Sequence, residues 1–161
     1  MRYFLLSLVT LFFVKTSWAQ KTKKKYQVGK ISLVELKETT KLKSFEDIYN
    51  YYEPDSIVLQ KIKKQLTNIS FKLAYGEWCY DSKILVPKII KILDCLKIPK
   101  KNVEIIGVNR KKDKPKKAIR KNKIKYVPTL LVLNNNVSIG KIEEVEINSL
   151  EKDLLKILQK K

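Results

Sequence analysis

The chain has 161 residues, no histidine and only two cysteines, Cys79 and Cys95. Lacking imidazole, it has no Cys-His or Ser-His-Asp nucleophile pair and no histidine ligand for a metal or haem, and two thiolates are too few for a structural zinc site, so no metal and no cofactor is expected. Lys and Arg outnumber Asp and Glu by 35 to 16, a net charge of +19, but the excess runs along the whole chain without a groove-reading motif, so weak contact with anionic surfaces is expected and nucleic-acid binding is not.

Residues 4–14 are an apolar run of eleven positions broken by Ser7 and Thr10, with Arg2 before it and Ser17-Trp18-Ala19 after it. At ~1.5 Å per residue such a run makes about 17 Å of helix, well short of a hydrocarbon core of roughly 30 Å. Residues 1–19 therefore read as a cleaved signal peptide, and the mature protein is expected in the periplasm or secreted. An exported chain with so few cysteines is not a disulfide-stapled scaffold. Residues 20–43 form a basic N-terminal segment, with one short strand expected over 29–36.

A single domain is expected over 44–161. Ser44 reads as an N-cap for a helix carrying Phe45, Ile48, Tyr49 and Tyr52, which Pro54 ends. Asp55 or Ser56 caps a second helix bearing Ile57, Val58, Leu59, Ile62 and Leu66. Residues 69–75 alternate as a strand, and after Cys79 the period switches to that of a helix with Leu85, Ile89, Ile92, Leu93 and Leu96 on one broad face. A buried strand is expected over 103–108 and a lysine-rich surface helix begins after Pro115. Residues 130–133 and 137–145 are strands joined by Asn134-Asn135-Asn136, a hairpin turn. Asn148 is the expected cap of the last helix, with Glu151 at its capping-box position and Leu150, Leu154, Leu155 and Leu158 as its buried stripe. Strands separated by helices argue parallel pairing, with antiparallel members added by the hairpin. The fold class is α/β, a sandwich with a central mixed sheet and helices on both faces.

Cys79 stands where a strand gives way to a helix. Helix N-termini expose unpaired N–H groups and partial positive charge, which favours a thiolate. Glu77-Trp78-Cys79-Tyr80-Asp81-Ser82 resembles the W-C-x-x-C active site of the thioredoxin superfamily with Ser82 in the second cysteine position. Pro87 matches the proline of the active-site helix, and Tyr126-Val127-Pro128-Thr129 resembles the V-P-T motif whose proline is cis and faces the cysteine. The resemblance covers roughly residues 57–158 and is nearest to exported bacterial thioredoxin-family proteins with a W-C-x-D-S motif. It implies a thioredoxin-like sandwich, a catalytic Cys79 supported by Trp78, Asp81 and Ser82, and a substrate segment pairing with backbone groups at Val127 and Pro128.

The departures shape the function. Ser82 cannot resolve a mixed disulfide, although its hydroxyl is placed to bond the Cys79 sulfur. Cys95, sixteen residues on, lies ~24 Å along the helix and about 160° around it, beyond disulfide reach. Leu73 occupies the position where thioredoxins often bury an aspartate. Asp81 favours the helix N-terminus while opposing a thiolate by like charge. Two functions fit: a monothiol thiol–disulfide exchange protein whose partners are protein or small-molecule thiols and disulfides, and a non-catalytic thioredoxin-fold binding domain.

Overall fold

The computed structural model describes residues 26–39 and 43–160. The signal peptide expected at residues 1–19 lies outside the described residues. In chain order the elements are β1 (Gly29–Ile31), α1 (Leu33–Thr39), α2 (Lys43–Tyr51), α3 (Ser56–Lys63), β2 (Ile69–Tyr75), α4 (Tyr80–Cys95), β3 (Val103–Gly107), α5 (Lys116–Asn122), β4 (Thr129–Asn134), β5 (Val137–Glu143) and α6 (Leu150–Leu158). The strands form one mixed sheet in the order β1-β3-β2-β4-β5. This is the α/β thioredoxin-like sandwich that the sequence predicts.

The alternation of β2 sorts its side chains between two faces. Phe71, Leu73 and Tyr75 enter a large core with Ile105, Leu130 and Val132, over which α1, α2, α3, α4 and α6 lay their apolar sides. Ala74 and Ile106 point the other way, into a small cluster shared with Ala118 and Ile119 of α5. Both faces therefore carry helix, but unequally. On the second face only the seven-residue α5 contributes to the packed cluster among the described residues.

Pairing of β2 with β3 is parallel, as a strand–helix–strand unit demands, and β4 is antiparallel to both β2 and β5. The first strand differs from expectation, because β1 runs antiparallel to β3. Three helices separate β1 from β2, so the geometry that keeps a single-helix crossover parallel does not constrain it. The single strand expected over 29–36 is also cut short. Ser32 Oγ accepts from the Glu35 N–H at 3.1 Å and Glu35 Oε2 accepts from the Ser32 N–H at 2.7 Å, a capping box that turns the chain into α1. The same Ser32 N–H bond, joined by the Ser32 side chain, holds the Glu35 carboxyl below its usual pKa. Leu36 of α1 is sealed in the main core, so part of the basic segment belongs to the same packed unit as the domain after it.

Other boundaries are set by side chains. Helix α2 begins at Lys43, which places Ser44 inside its first turn. Asp55 caps α3, its Oδ1 accepting from the Ile57 and Val58 N–H groups at 2.9 and 3.1 Å. At α6 the cap is Ser149, whose Oγ accepts from the Lys152 N–H, in place of Asn148. Asn148 instead bonds Asp153 through its backbone and side chain. Glu151 leaves the capping-box role for the interior, 3% exposed, where it accepts from the Tyr52 hydroxyl at 2.7 Å. The hairpin turns on Asn135 and Asn136, with φ of 48° and 65°, a two-residue loop of positive φ that suits asparagine and matches sheet twist. Close packing of β5 under α6 requires Gly140, since a Cβ there would lie 2.6 Å from an Ile157 methyl.

Candidate active site around Cys79

Strand β2 ends at Tyr75 and the chain turns through Gly76-Glu77-Trp78 before α4 starts. The turn is closed by the Cys79 N–H donating to the Gly76 carbonyl at 2.8 Å. Ser82 braces it from the first turn of α4, where it is 2% exposed and its Oγ accepts from the Gly76 N–H at 3.2 Å. The expected bond between this hydroxyl and the Cys79 sulfur is therefore replaced by one to the backbone. Trp78 folds back over Gly76 so tightly that a Cβ there would sit 2.7 Å from the indole. Its Nε1–H donates to the Val108 carbonyl at 3.1 Å, and its ring packs with the Ala74, Ile106, Val108, Ile124 and Val127 cluster beside Cys79. The tryptophan is both a wall of the site and a pin joining the Cys79 turn to the end of β3.

Cys79 occupies the N-cap of α4, with extended backbone at φ −88° and ψ 130°, and its side chain is half-buried. The sulfur makes no capping bond to the helix N–H groups. It turns across the site, where its Sγ–H donates to the Val127 carbonyl at 3.3 Å and approaches Asp81 Oδ2 at 3.9 Å. Both neighbours are acceptors. Val127 joins Pro128 through a cis peptide, and a second cis peptide, Lys114-Pro115, precedes α5. The V-P segment is held by the Thr129 hydroxyl donating to the Tyr126 carbonyl at 2.8 Å and by the Glu144 N–H donating to the Pro128 carbonyl at 2.8 Å.

The structure thus brings together Trp78, Cys79, Asp81, Ser82, Val127 and Pro128. Val127 is only 3% exposed, and its carbonyl accepts from the thiol. Cys95 ends α4 as an exposed free thiol, fifteen helical steps from the first helical residue Tyr80, and does not join the site. Leu73 fills the core, and Pro87 is buried within α4. Around the mouth stand Tyr80, 74% exposed, and Tyr126, whose ring lies 5.4 Å from Lys112 Nζ. Neither ring was singled out in the sequence; Tyr80 is a variable position of the W-C-x-D-S motif and Tyr126 immediately precedes the V-P-T motif, which is the signal that would have found them.

No family model matches the chain and no curated protein matches it. Among solved structures, it is similar to a Pseudomonas aeruginosa protein of unknown function, PA1234, with 14% identity over 80% of this chain and 98% of the other, at a TM-score of 0.56. An HIV epitope scaffold aligns with 13% identity over 79% of this chain and 86% of its own, at a TM-score of 0.51. Thioredoxin O2 from Arabidopsis thaliana, in its oxidised state, shares 20% identity over 63% of this chain and 86% of its own at a TM-score of 0.41. At their identities, the first two likenesses speak for the fold alone.

Proposed function

We propose that the chain is a monothiol thiol–disulfide exchange protein, exported through the leader read at residues 1–19, that acts through Cys79 on protein or small-molecule disulfides. One observation carries this reading: a half-buried thiol at the start of α4 lies 3.3 Å from the carbonyl that precedes Pro128. Loss of the thiol proton releases the Val127 carbonyl and creates the nucleophile. The Cys79 thiolate then attacks one sulfur of a substrate disulfide; the substrate S–S bond breaks as the Cys79–substrate bond forms, and the departing thiolate takes up a proton. Ser82 has no thiol to complete an internal disulfide. A second thiol, on the substrate or on a small molecule, attacks the substrate sulfur of the mixed disulfide and regenerates Cys79. When that thiol is the substrate's own, the cycle isomerises the disulfide with no net redox change; when it belongs to a small molecule, that thiol is oxidised to a disulfide as the substrate is reduced, the balance of deglutathionylation. Trapping tests it. Wild type and Ser82→Ala should capture mixed-disulfide partners while Cys79→Ala captures none, and equal capture by wild type and Cys79→Ala contradicts the reading.

A second reading, a non-catalytic binding domain, is favoured by the Asp81 carboxylate beside the sulfur, which opposes a thiolate, and by Ser82 being committed to the backbone. Alkylation of Cys79 by a small reagent in the native protein separates the two. Reactivity that rises with thiolate fraction supports exchange, and a thiol unreactive until denaturation supports the binding domain.

A further inference from the structure

The two sides of the Cys79 mouth differ in charge. Helix α5 packs Ala118 and Ile119 against the same small cluster of Ala74, Ile106, Val108, Ile124 and Val127 on which Trp78 and Cys79 rest, so the helix and the cysteine share one support. Its other side chains, Lys116, Lys117, Arg120 and Lys121, are exposed. They belong to the densest basic stretch of the chain, residues 109–125, in which ten of seventeen positions are Lys or Arg and Asp113 is the single acid. Among the described residues, none of these cations forms an ion pair. Lys112 is instead placed over Tyr126, one residue before Val127. The acids of the site, Glu77 and Asp81, stand within two residues of Cys79. Beyond α5 lies a groove of about 680 Å³ around Leu131 and Leu133, where Lys121 and Lys123 add to this charge while Lys72 and Lys141 are paired with Glu104 and Glu143.

Such an arrangement is unfavourable without a partner. Lys116 with Arg120 and Lys117 with Lys121 are like-charge pairs at i,i+4, a spacing that destabilises an isolated helix. We propose that α5 is the substrate-selecting wall of this site, and that its substrates are disulfides carried on Asp- and Glu-rich polypeptide segments. For its chemistry the inference rests on the exchange reading, whereas the binding it describes does not. An acidic polypeptide fits better than single-stranded nucleic acid, because the groove beyond α5 is floored by leucines and the Tyr126 face is occupied by Lys112, which leaves Tyr80 as a single exposed ring in place of the successive stacking rings that a strand of bases uses.

The test uses two disulfide peptides of equal length, one flanked by glutamates and one by lysines. Exchange is followed with the full chain and binding with Cys79→Ser. Each is repeated in a variant carrying Lys116→Gln, Lys117→Gln and Lys121→Gln, and in a control carrying Lys61→Gln, Lys63→Gln and Lys64→Gln at the far end of α3. At low salt the acidic peptide should react about tenfold faster or more, with the advantage collapsing as salt shortens the screening length. The α5 variant should lose that advantage and the α3 control should keep it. Equal rates for the two peptides overturn the inference and leave the exchange reading intact. Equal losses in the two triple variants also overturn it, since net charge would then suffice, as does an oligonucleotide that binds Cys79→Ser more tightly than the acidic peptide. If no peptide exchanges but Cys79→Ser still binds the acidic one through α5, the exchange reading fails and the inference stands.

Discussion

Replacing Ser82 by alanine separates two roles open to a serine three residues after Cys79. The structure has its Oγ accepting from the buried Gly76 N–H at 3.2 Å, with the residue 2% exposed. Alanine leaves that donor without an acceptor in a place water does not reach, at a cost of about 1–3 kcal/mol. For a domain of this size each kcal/mol moves the melting temperature by roughly 2–4 °C, so the drop should be roughly 2–12 °C. Because Gly76 also anchors the Cys79 N–H, the loss concerns the turn that presents the thiol and not the sulfur's own partners. Thermal and urea unfolding measure the first effect, and native-state alkylation of Cys79 across pH, followed by mass spectrometry, measures the second. The expected result is lower stability with an unchanged alkylation profile. An unchanged melting temperature with a displaced profile would show that the hydroxyl serves the sulfur, and would refute this account of the turn.

Three further outcomes follow from the same geometry. Ser82→Cys places a second thiol one helical turn from Cys79, within the ~5–6 Å Cα spacing that a disulfide accepts; mild oxidation should remove both from a thiol titration while Cys95 remains. Trp78→Phe removes the Nε1–H bond to Val108, whose residue is fully buried, and should cost about 1–3 kcal/mol in urea unfolding. The Tyr49 phenol is pushed up to about 12, by burial first and then by its bond to Asp94, and Tyr52 is raised further by burial and by Glu151. Because these phenols ionise near 10 in the unfolded chain, the stability they contribute is complete below about pH 10 and falls as pH rises through the folded values. Unfolding midpoints between pH 9 and 12 should therefore fall less steeply in a Tyr49→Phe, Tyr52→Phe variant, and an unchanged slope would contradict the assignment.

Much of this molecule is legible in local pattern. The period-2 run at β2, the paired asparagines of the hairpin, the leucine stripe of α6 and the W-C-x-D-S and V-P-T motifs are all short-range signals, and the structure brings the last two together at Cys79 and Val127. What escaped depends on contacts distant in sequence or on a competing local signal. Ser32 and Glu35 form a capping box that was readable, but apolar alternation over 29–36 masked it. The Glu151 carboxylate matched a capping box on paper, yet its partner is a tyrosine 99 residues away, and nothing near it announces that pairing. The direction of β1 follows from where three helices return the chain. The sequence shows the neighbour of Ser82, Cys79, and not its observed partner, the Gly76 N–H folded back beside it.

The central claim is tested most directly by mapping which cysteine an added disulfide reaches first. Cys95 is the more exposed of the two and serves as an internal reference for a thiol with accessibility but no built surroundings. Native protein is mixed with an excess of a small disulfide, quenched with acid at intervals, and the adducts are located by peptide mass. The account predicts that Cys79 carries the mixed disulfide before Cys95 does. Modification of Cys95 first, with Cys79 untouched until the protein is unfolded, would contradict it.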